Sequence, residues 1–253
     1  MKLIYSTFAT AALLACTVAC SKPTGIEVAH SGCLRVTAVK KSDGAEEIRE
    51  ILERCRVKVD SIKSPVIGEA AHPLEKQIPE SPLMNFAADA LLEMARKETG
   101  ENIDIAITNK GGLRSNINQG TLTFGDIYNV FPFENTLALL TLNGEQLLQL
   151  CDEIAAVGGE AVAGMRMSIT PDWKAAAVTV TGKPVEKGKE YRIATSDYLS
   201  QGNDKMTTLA LGKDKRIFSN ITIRDLMVQY IKELAAEGKK LQAECDGRIT
   251  KIK

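Results

Sequence analysis

The chain has 253 residues, and its 32 Lys and Arg balance 32 Asp and Glu, so a nucleic-acid polymer is not expected as its main partner. Hydrophobic residues at 44% and charged residues at 25% match ordinary soluble domains, which excludes extended disorder and leaves length for one large or two small domains. Histidine is limited to His30 and His72, too few to build a His- and Asp-rich metal centre.

Residues 1–22 carry Lys2, an apolar stretch from Leu3 to Ala15, and then Cys16 and Cys20, each after a small residue. That layout resembles a bacterial lipoprotein signal, too short for a spanning helix. It implies a cut before a cysteine that is then lipidated, and hence a lipid-anchored chain in the cell envelope, facing the periplasm or the outside. Leu13-Leu14-Ala15-Cys16 fits the lipobox better, whereas Cys20 gives a leader of more ordinary length, so both stay open. The remaining cysteines, Cys33, Cys55, Cys151 and Cys245, permit disulfides in such a compartment without requiring them. Cys151 lies in an apolar helical run and reads as core filler.

Residues 21–43 read as a tether with a short alternating run from Leu34 to Val39, and residues 44–63 as a charged helix. Ser81 then caps a helix with Pro82 in its first position, and Leu83, Phe86, Ala87, Ala90, Leu91, Met94 and Ala95 form its buried stripe. Ile103 to Thr108 reads as a strand ending in Asn109-Lys110-Gly111-Gly112-Leu113-Arg114, where paired glycines permit a sharp turn and a close ligand. Thr123 and Asp126 have capping-box spacing before a short helix. A strand from Thr136 to Leu142, a helix from Gly144 to Ala156, and strands at 165–170 and 176–180 follow. Thr181-Gly182-Lys183-Pro184 reads as a hairpin-like turn. Tyr191 to Thr195 is a strand ending in a polar loop, Ser196 to Lys205, and the last helix spans about Thr222 to Ala236, with Asp225 placed in its cap. Irregular alternation of strands and helices predicts an α/β (α+β) domain with mixed sheets.

Three loops hold residues that packing alone would not select: Asn109 to Arg114, Pro132-Phe133-Glu134-Asn135-Thr136, and Asp197-Tyr198-Leu199-Ser200-Gln201-Gly202-Asn203-Asp204. In this order and spacing, with Glu80-Ser81-Pro82-Leu83-Met84-Asn85 and Thr121-Leu122-Thr123-Phe124-Gly125-Asp126, they resemble the C-terminal nucleoside-binding domain of the 5′-nucleotidases. The similarity runs from about Ala45 to Ile252, and residues 44–63 resemble the helix joining that family's two domains, ahead of a domain over 64–253. The resemblance implies a layered mixed-sheet fold with Phe133 and Tyr198 as the rings that clamp a base. It further implies Asn109 at a base edge, Arg114 on a ribose or phosphate oxygen, Asp204 accepting from ribose hydroxyls, Gly111 and Gly112 keeping the approach open, and Asn135 in the same substrate-binding set. Base–aromatic stacking is worth roughly 1–3 kcal/mol per base. Each residue also has a plainer reading by itself: a core Phe133, a loop Tyr198, Asn109 and Asp204 bonding their own turns, a solvated Arg114.

The family's catalytic half carries Asp-x-His, Asn-His-Glu and Gly-His-x-His motifs that hold two divalent metals, and none occurs here. No catalytic residue, metal ligand or cofactor is therefore assigned to this chain. The resemblance instead implies a substrate-binding subunit of a split 5′-nucleotidase in nucleotide catabolism, with the metals and hydrolysis supplied by a separately encoded metallophosphatase chain. A non-catalytic nucleoside-binding lipoprotein of the cell envelope is the alternative. Lys76 stands where the family supplies arginines toward the substrate, and Glu134 where glycine is common, so the expectation for a bound phosphate is weaker than for a nucleoside.

Overall fold

The computed structural model describes residues 43–252. The leader, the tether, the run at 34–39, His30 and Cys33 fall outside those residues. Residues up to Glu50 belong to one compact unit and Ile51–Lys253 to another, and the account below concerns the second.

A charged helix, α1 (Asp43–Lys63), crosses that boundary and leads into β1 (Val66–Ala70), which pairs antiparallel with β3 (Gly120–Thr123). Between them lie α2 (Pro82–Thr99) and β2 (Ile105–Thr108). Helix α2 begins as its sequence dictates: the Met84 amide donates to the Ser81 hydroxyl at 3.2 Å, and Pro82 has no amide to leave unpaired. It stops at Gly100, whose φ of 69° is the left-handed conformation glycine adopts without strain. Helix α3 (Phe124–Val130) carries the full capping box of Thr123 and Asp126.

Next come β4 (Thr136–Asn143), α4 (Gly144–Ala156), β5 (Ala161–Ala163), β6 (Met165–Ile169), β7 (Ala175–Val180), β8 (Lys183–Pro184) and β9 (Glu190–Ser196). The β7–β8 link is a two-residue hairpin whose Thr181 and Gly182 both have positive φ, the twist such hairpins require. A one-turn helix α5 (Asp197–Ser200), β10 (Lys213–Thr222), α6 (Ile223–Ala236) and β11 (Ile249–Lys251) complete the described residues.

The larger sheet has the order β10-β4-β9-β2-β5, with β9 parallel to β2 and the other pairs antiparallel. A second sheet has the order β11-β6-β7-β8. Both faces of the larger sheet are covered. Leu137, Leu139, Ala106, Ala161 and Ala194 face a core shared with α2, α3 and α6. Leu140, Leu142, Ile105, Ile107, Val162 and Ile193 face a core shared with α4 and the second sheet, and Cys151 is fully buried there. Burial pushes the Cys151 thiol up to about 12, as its reading as core filler requires. Because both faces are dry, these strands read as continuous apolar runs rather than alternating ones. The fold is thus the mixed-sheet α/β domain expected.

Strands β1, β3, β5, β10 and β11 and one helical turn depart from the sequence reading. Strand β10 was not foreseen, because an edge strand guarded by Lys213, Asp214, Lys215 and Arg216 shows no alternation. The start of the loop after β9 is a helical turn, since the Ser196 hydroxyl accepts from the Leu199 amide at 3.1 Å.

Candidate functional site

The sheet order explains why three distant loops meet. Strands β2 and β9 run parallel, so Asn109 after β2 and Tyr198 after β9 emerge at one edge. Strand β4 runs antiparallel to β9 with Leu137 opposite Ser196, which brings the preceding loop, Pro132 to Asn135, to that same edge. Ligands of open α/β sheets lodge outside the carboxyl ends of strands for this reason. A cavity of about 350 Å³ opens there, lined by Asn109, Gly111, Arg114, Phe133, Asn135, Tyr198 and Asp204.

Phe133 and Tyr198 are 49% and 39% exposed, unusual for large rings beside a folded core, and both face this cavity. The Tyr198 hydroxyl donates to Asp204 Oδ1 at 2.9 Å, and Asn109 Nδ2 donates to Asp204 Oδ2 at 2.5 Å. Bonding to that carboxylate holds the Tyr198 phenol above its usual value. One carboxylate therefore fixes a ring and an amide together. Asp204 adopts a φ of 53°, a conformation uncommon outside glycine, so its loop is held rather than relaxed.

Gly112 lies behind Asn109: a Cβ there would stand 2.9 Å from Asn109 Oδ1, so a larger residue would displace the amide. Gly111 lines the cavity itself. Arg114 is exposed, and among the described residues its guanidinium reaches only the Gly111 carbonyl, at a long 3.4 Å, so most of its donors point to solvent at the cavity wall.

The loops are braced by residues that sequence reasoning did not single out. Glu160, 5% exposed, accepts from the Lys110 amide at 2.5 Å and from Lys110 Nζ at 2.7 Å. Lys110 Nζ also donates to the carbonyls of Val157 and Gly159. This ties the turn carrying Asn109 to the start of β5. Burial raises the Glu160 carboxyl above its usual range, with the Lys110 ammonium opposing the rise. The folded chain then holds this proton more tightly than the unfolded chain. Its contribution is full below the ordinary carboxylate value of 4.5 and is lost as pH rises through the folded value. Wild type is expected to lose stability relative to Glu160→Gln as pH is raised from about 4.5 toward neutrality, read by urea unfolding at each pH. An unchanged difference across that range would show the carboxyl to be ordinary.

Arg224, at the start of α6, anchors the Phe133 loop. It is 7% exposed; Nη1 donates to the Phe131 carbonyl at 3.2 Å, Nη2 to Glu134 Oε1 at 2.5 Å, and its guanidinium lies 4.6 Å from the Tyr128 ring centre. The Ile223 amide adds a bond to the Asn135 carbonyl, and Asp197 Oδ1 accepts from the Thr136 amide. Glu134, where glycine was the family's expectation, is therefore offset by a guanidinium. Nothing in the run Ile223-Arg224-Asp225 signals this, because the partners lie about 90 residues earlier. Arg224→Ala should cost about 1.5–3 kcal/mol, the range for a hydrogen bond to a charged group, measured by urea unfolding. Arg224→Lys should recover only part, since an ammonium cannot span both acceptors as a planar fork does.

Lys76 is also committed to the fold: its Nζ donates to the Leu113 carbonyl at 2.7 Å and the Lys110 carbonyl at 3.3 Å. Among the described residues no group of three or more His, Cys, Asp or Glu side chains is placed to hold a metal ion. Cys55, Cys151 and Cys245 are free thiols.

A model of the 5′-nucleotidase C-terminal domain matches residues 66–211. The trifunctional nucleotide phosphoesterase protein YfkN of Bacillus subtilis is 27% identical over 81% of this chain and 15% of its own length. A probable 5′-nucleotidase of Treponema pallidum is 30% identical over 65% of this chain and 30% of its own length. Among solved structures, a 5′-nucleotidase precursor from Thermus thermophilus superposes with a TM-score of 0.71 at 25% identity, over 82% of this chain and 43% of that one. The chain thus spans less than half the length of each of these relatives. The order of the loops, the sheet that gathers them and the match over residues 66–211 agree, and the chain belongs to the 5′-nucleotidase C-terminal domain family.

Proposed function

We propose that this chain is the nucleoside-binding subunit of a split 5′-nucleotidase, acting in nucleotide catabolism with a separate metallophosphatase chain. The observation that carries the reading is that Phe133, Tyr198, Asn109, Arg114, Asn135 and Asp204 line one cavity together. Two exposed rings offer the faces of a base a stacking surface, and the Asp204 carboxylate with the Asn109 amide offers polar partners for its edge and its sugar. Residues 1–253 contain none of the metal-binding motifs of the family's catalytic half, so the two divalent metals and the hydrolysis are not assigned to these residues. Alone, the chain would bind without hydrolysing.

A lipid at Cys16 or Cys20 would hold it in the cell envelope. A relative described as a cell wall protein, from Listeria monocytogenes, supports that placement. The second reading, a nucleoside-binding lipoprotein without a catalytic partner, is favoured by Lys76, which donates to loop carbonyls and so leaves a phosphate fewer cations.

Calorimetric titration of the chain with adenosine and with its 5′-monophosphate tests binding. Mixing with a metallophosphatase chain encoded beside it tests the partnership. Binding of adenosine together with phosphatase activity above that of the partner alone is the expected result. Absence of binding at millimolar concentration would overturn the nucleoside reading, and binding without any gain in activity would favour the second.

A further inference from the structure

A smaller niche of about 20 Å³ adjoins the cavity, and Asn109, Phe133 and Asn135 line both. It has room for about one water-sized group. Two buried hydroxyl residues, Thr108 and Ser196, line the niche as well. The register explains that pair: β2 and β9 are parallel with Ala106 beside Ala194, so Thr108 and Ser196, two residues on, lie side by side on the same face. The Ser196 oxygen already accepts from the Leu199 amide, so its proton is what it has left to offer. Among the described residues neither hydroxyl donates to an acceptor. Asn109 supplies the opposite chemistry. The Asp204 carboxylate can only accept, so it fixes Nδ2 as the end of the amide that faces it. Oδ1 then lies on the other side, against Gly112, where a Cβ would stand 2.9 Å from it. Gly111 lines the cavity and Gly112 the niche, so the free acceptor of Asn109 borders the niche.

One acceptor beside two hydroxyl donors is a pattern that only some base edges complement. We infer that Thr108, Ser196 and Asn109 select the base, taking a purine nucleoside with a carbonyl oxygen at carbon 6 over its 6-amino counterpart. The N1–H of the 6-oxo base donates to Asn109 Oδ1, and the neighbouring carbonyl oxygen fills the niche and accepts from Thr108 and Ser196. Adenine reverses both partners. Its N1 is an acceptor set against Oδ1, and its amino group leaves the Ser196 proton with no acceptor once the base has closed the niche to water. Discrimination of this kind is strong because the wrong ligand strands buried polar groups. The inference rests on the nucleoside reading above and names the class of base for that same cavity.

The test is calorimetry of the full chain with inosine, adenosine and purine riboside, which carries only hydrogen at carbon 6. Inosine should bind at least about tenfold more tightly than the other two. Thr108→Val keeps the shape of the side chain and deletes its hydroxyl, and should cut that preference to about threefold or less, whereas Thr108→Ser should keep it. A purely structural role for Thr108 would shift all three nucleosides alike. Ser196→Ala gives a second reading: it also removes the bond to the Leu199 amide beside Tyr198, so affinity for every nucleoside should fall while the inosine preference narrows. Urea unfolding of each variant shows that it folds. Equal binding of inosine and adenosine, tighter binding of adenosine, or a preference that Thr108→Val leaves untouched would overturn the selection and leave nucleoside binding standing. Absence of binding by all three at millimolar concentration would overturn both, so the two failures are told apart.

Discussion

Phe133→Ala and Tyr198→Ala are each expected to weaken adenosine binding by roughly 5- to 150-fold, the equivalent of the 1–3 kcal/mol that one stacked base is worth. The rings are half exposed and line the cavity, so their removal takes little from the core. Unfolding stability should therefore stay within about 0.5 kcal/mol of wild type. Tyr198→Phe separates the two roles of the tyrosine. It keeps the stacking face and deletes only the hydroxyl bond to Asp204, so affinity should fall by about tenfold or less. Calorimetry of the three variants, beside urea unfolding of each, gives the result. If the two alanine variants bind adenosine as wild type does, the rings are not a base clamp, whatever the cavity holds.

The parts legible in the sequence and the parts hidden from it differ for a physical reason. Local chemistry was readable: Ser81 with Pro82, the Thr123 and Asp126 box, the hairpin at Thr181 and Gly182, and the apolar stripe of α2 each depend on neighbours within a few residues. The gathering of Asn109, Phe133, Tyr198 and Asp204 was readable only through resemblance, because nothing local in those loops says that β2 and β9 are parallel neighbours. The braces were not readable at all. Lys110 with Glu160, Arg224 with Glu134, and Lys76 with the Leu113 carbonyl join residues 37 to 90 positions apart. Each is an ordinary charged residue in one dimension. Strand β10 was missed for the converse reason, since the charges that protect a sheet edge also erase the alternation that reveals a strand.

The brace behind Asn109 depends in turn on a glycine. Gly164 joins β5 to β6 at a φ of 79°, and a Cβ there would lie 2.0 Å from the Asp104 carbonyl oxygen, just before β2. Gly164→Ala must therefore adopt a left-handed backbone, at about 1–2 kcal/mol, and push β5 away from β2, at about 1–3 kcal/mol for overpacking. A loss of roughly 2–5 kcal/mol in urea unfolding is the expected result. Gly182 supplies the control: its φ is also 79°, yet no atom lies within 4 Å of the added Cβ, so Gly182→Ala should pay the backbone cost alone. Separating β5 from β2 also moves Glu160, which immediately precedes β5, away from Lys110 at the end of β2. Adenosine affinity should thus fall in Gly164→Ala and hold in Gly182→Ala. Equal stability losses in the two variants would mean that β5 yields without resistance, and that the turn carrying Asn109 is positioned by Asp204 rather than by the sheet edge.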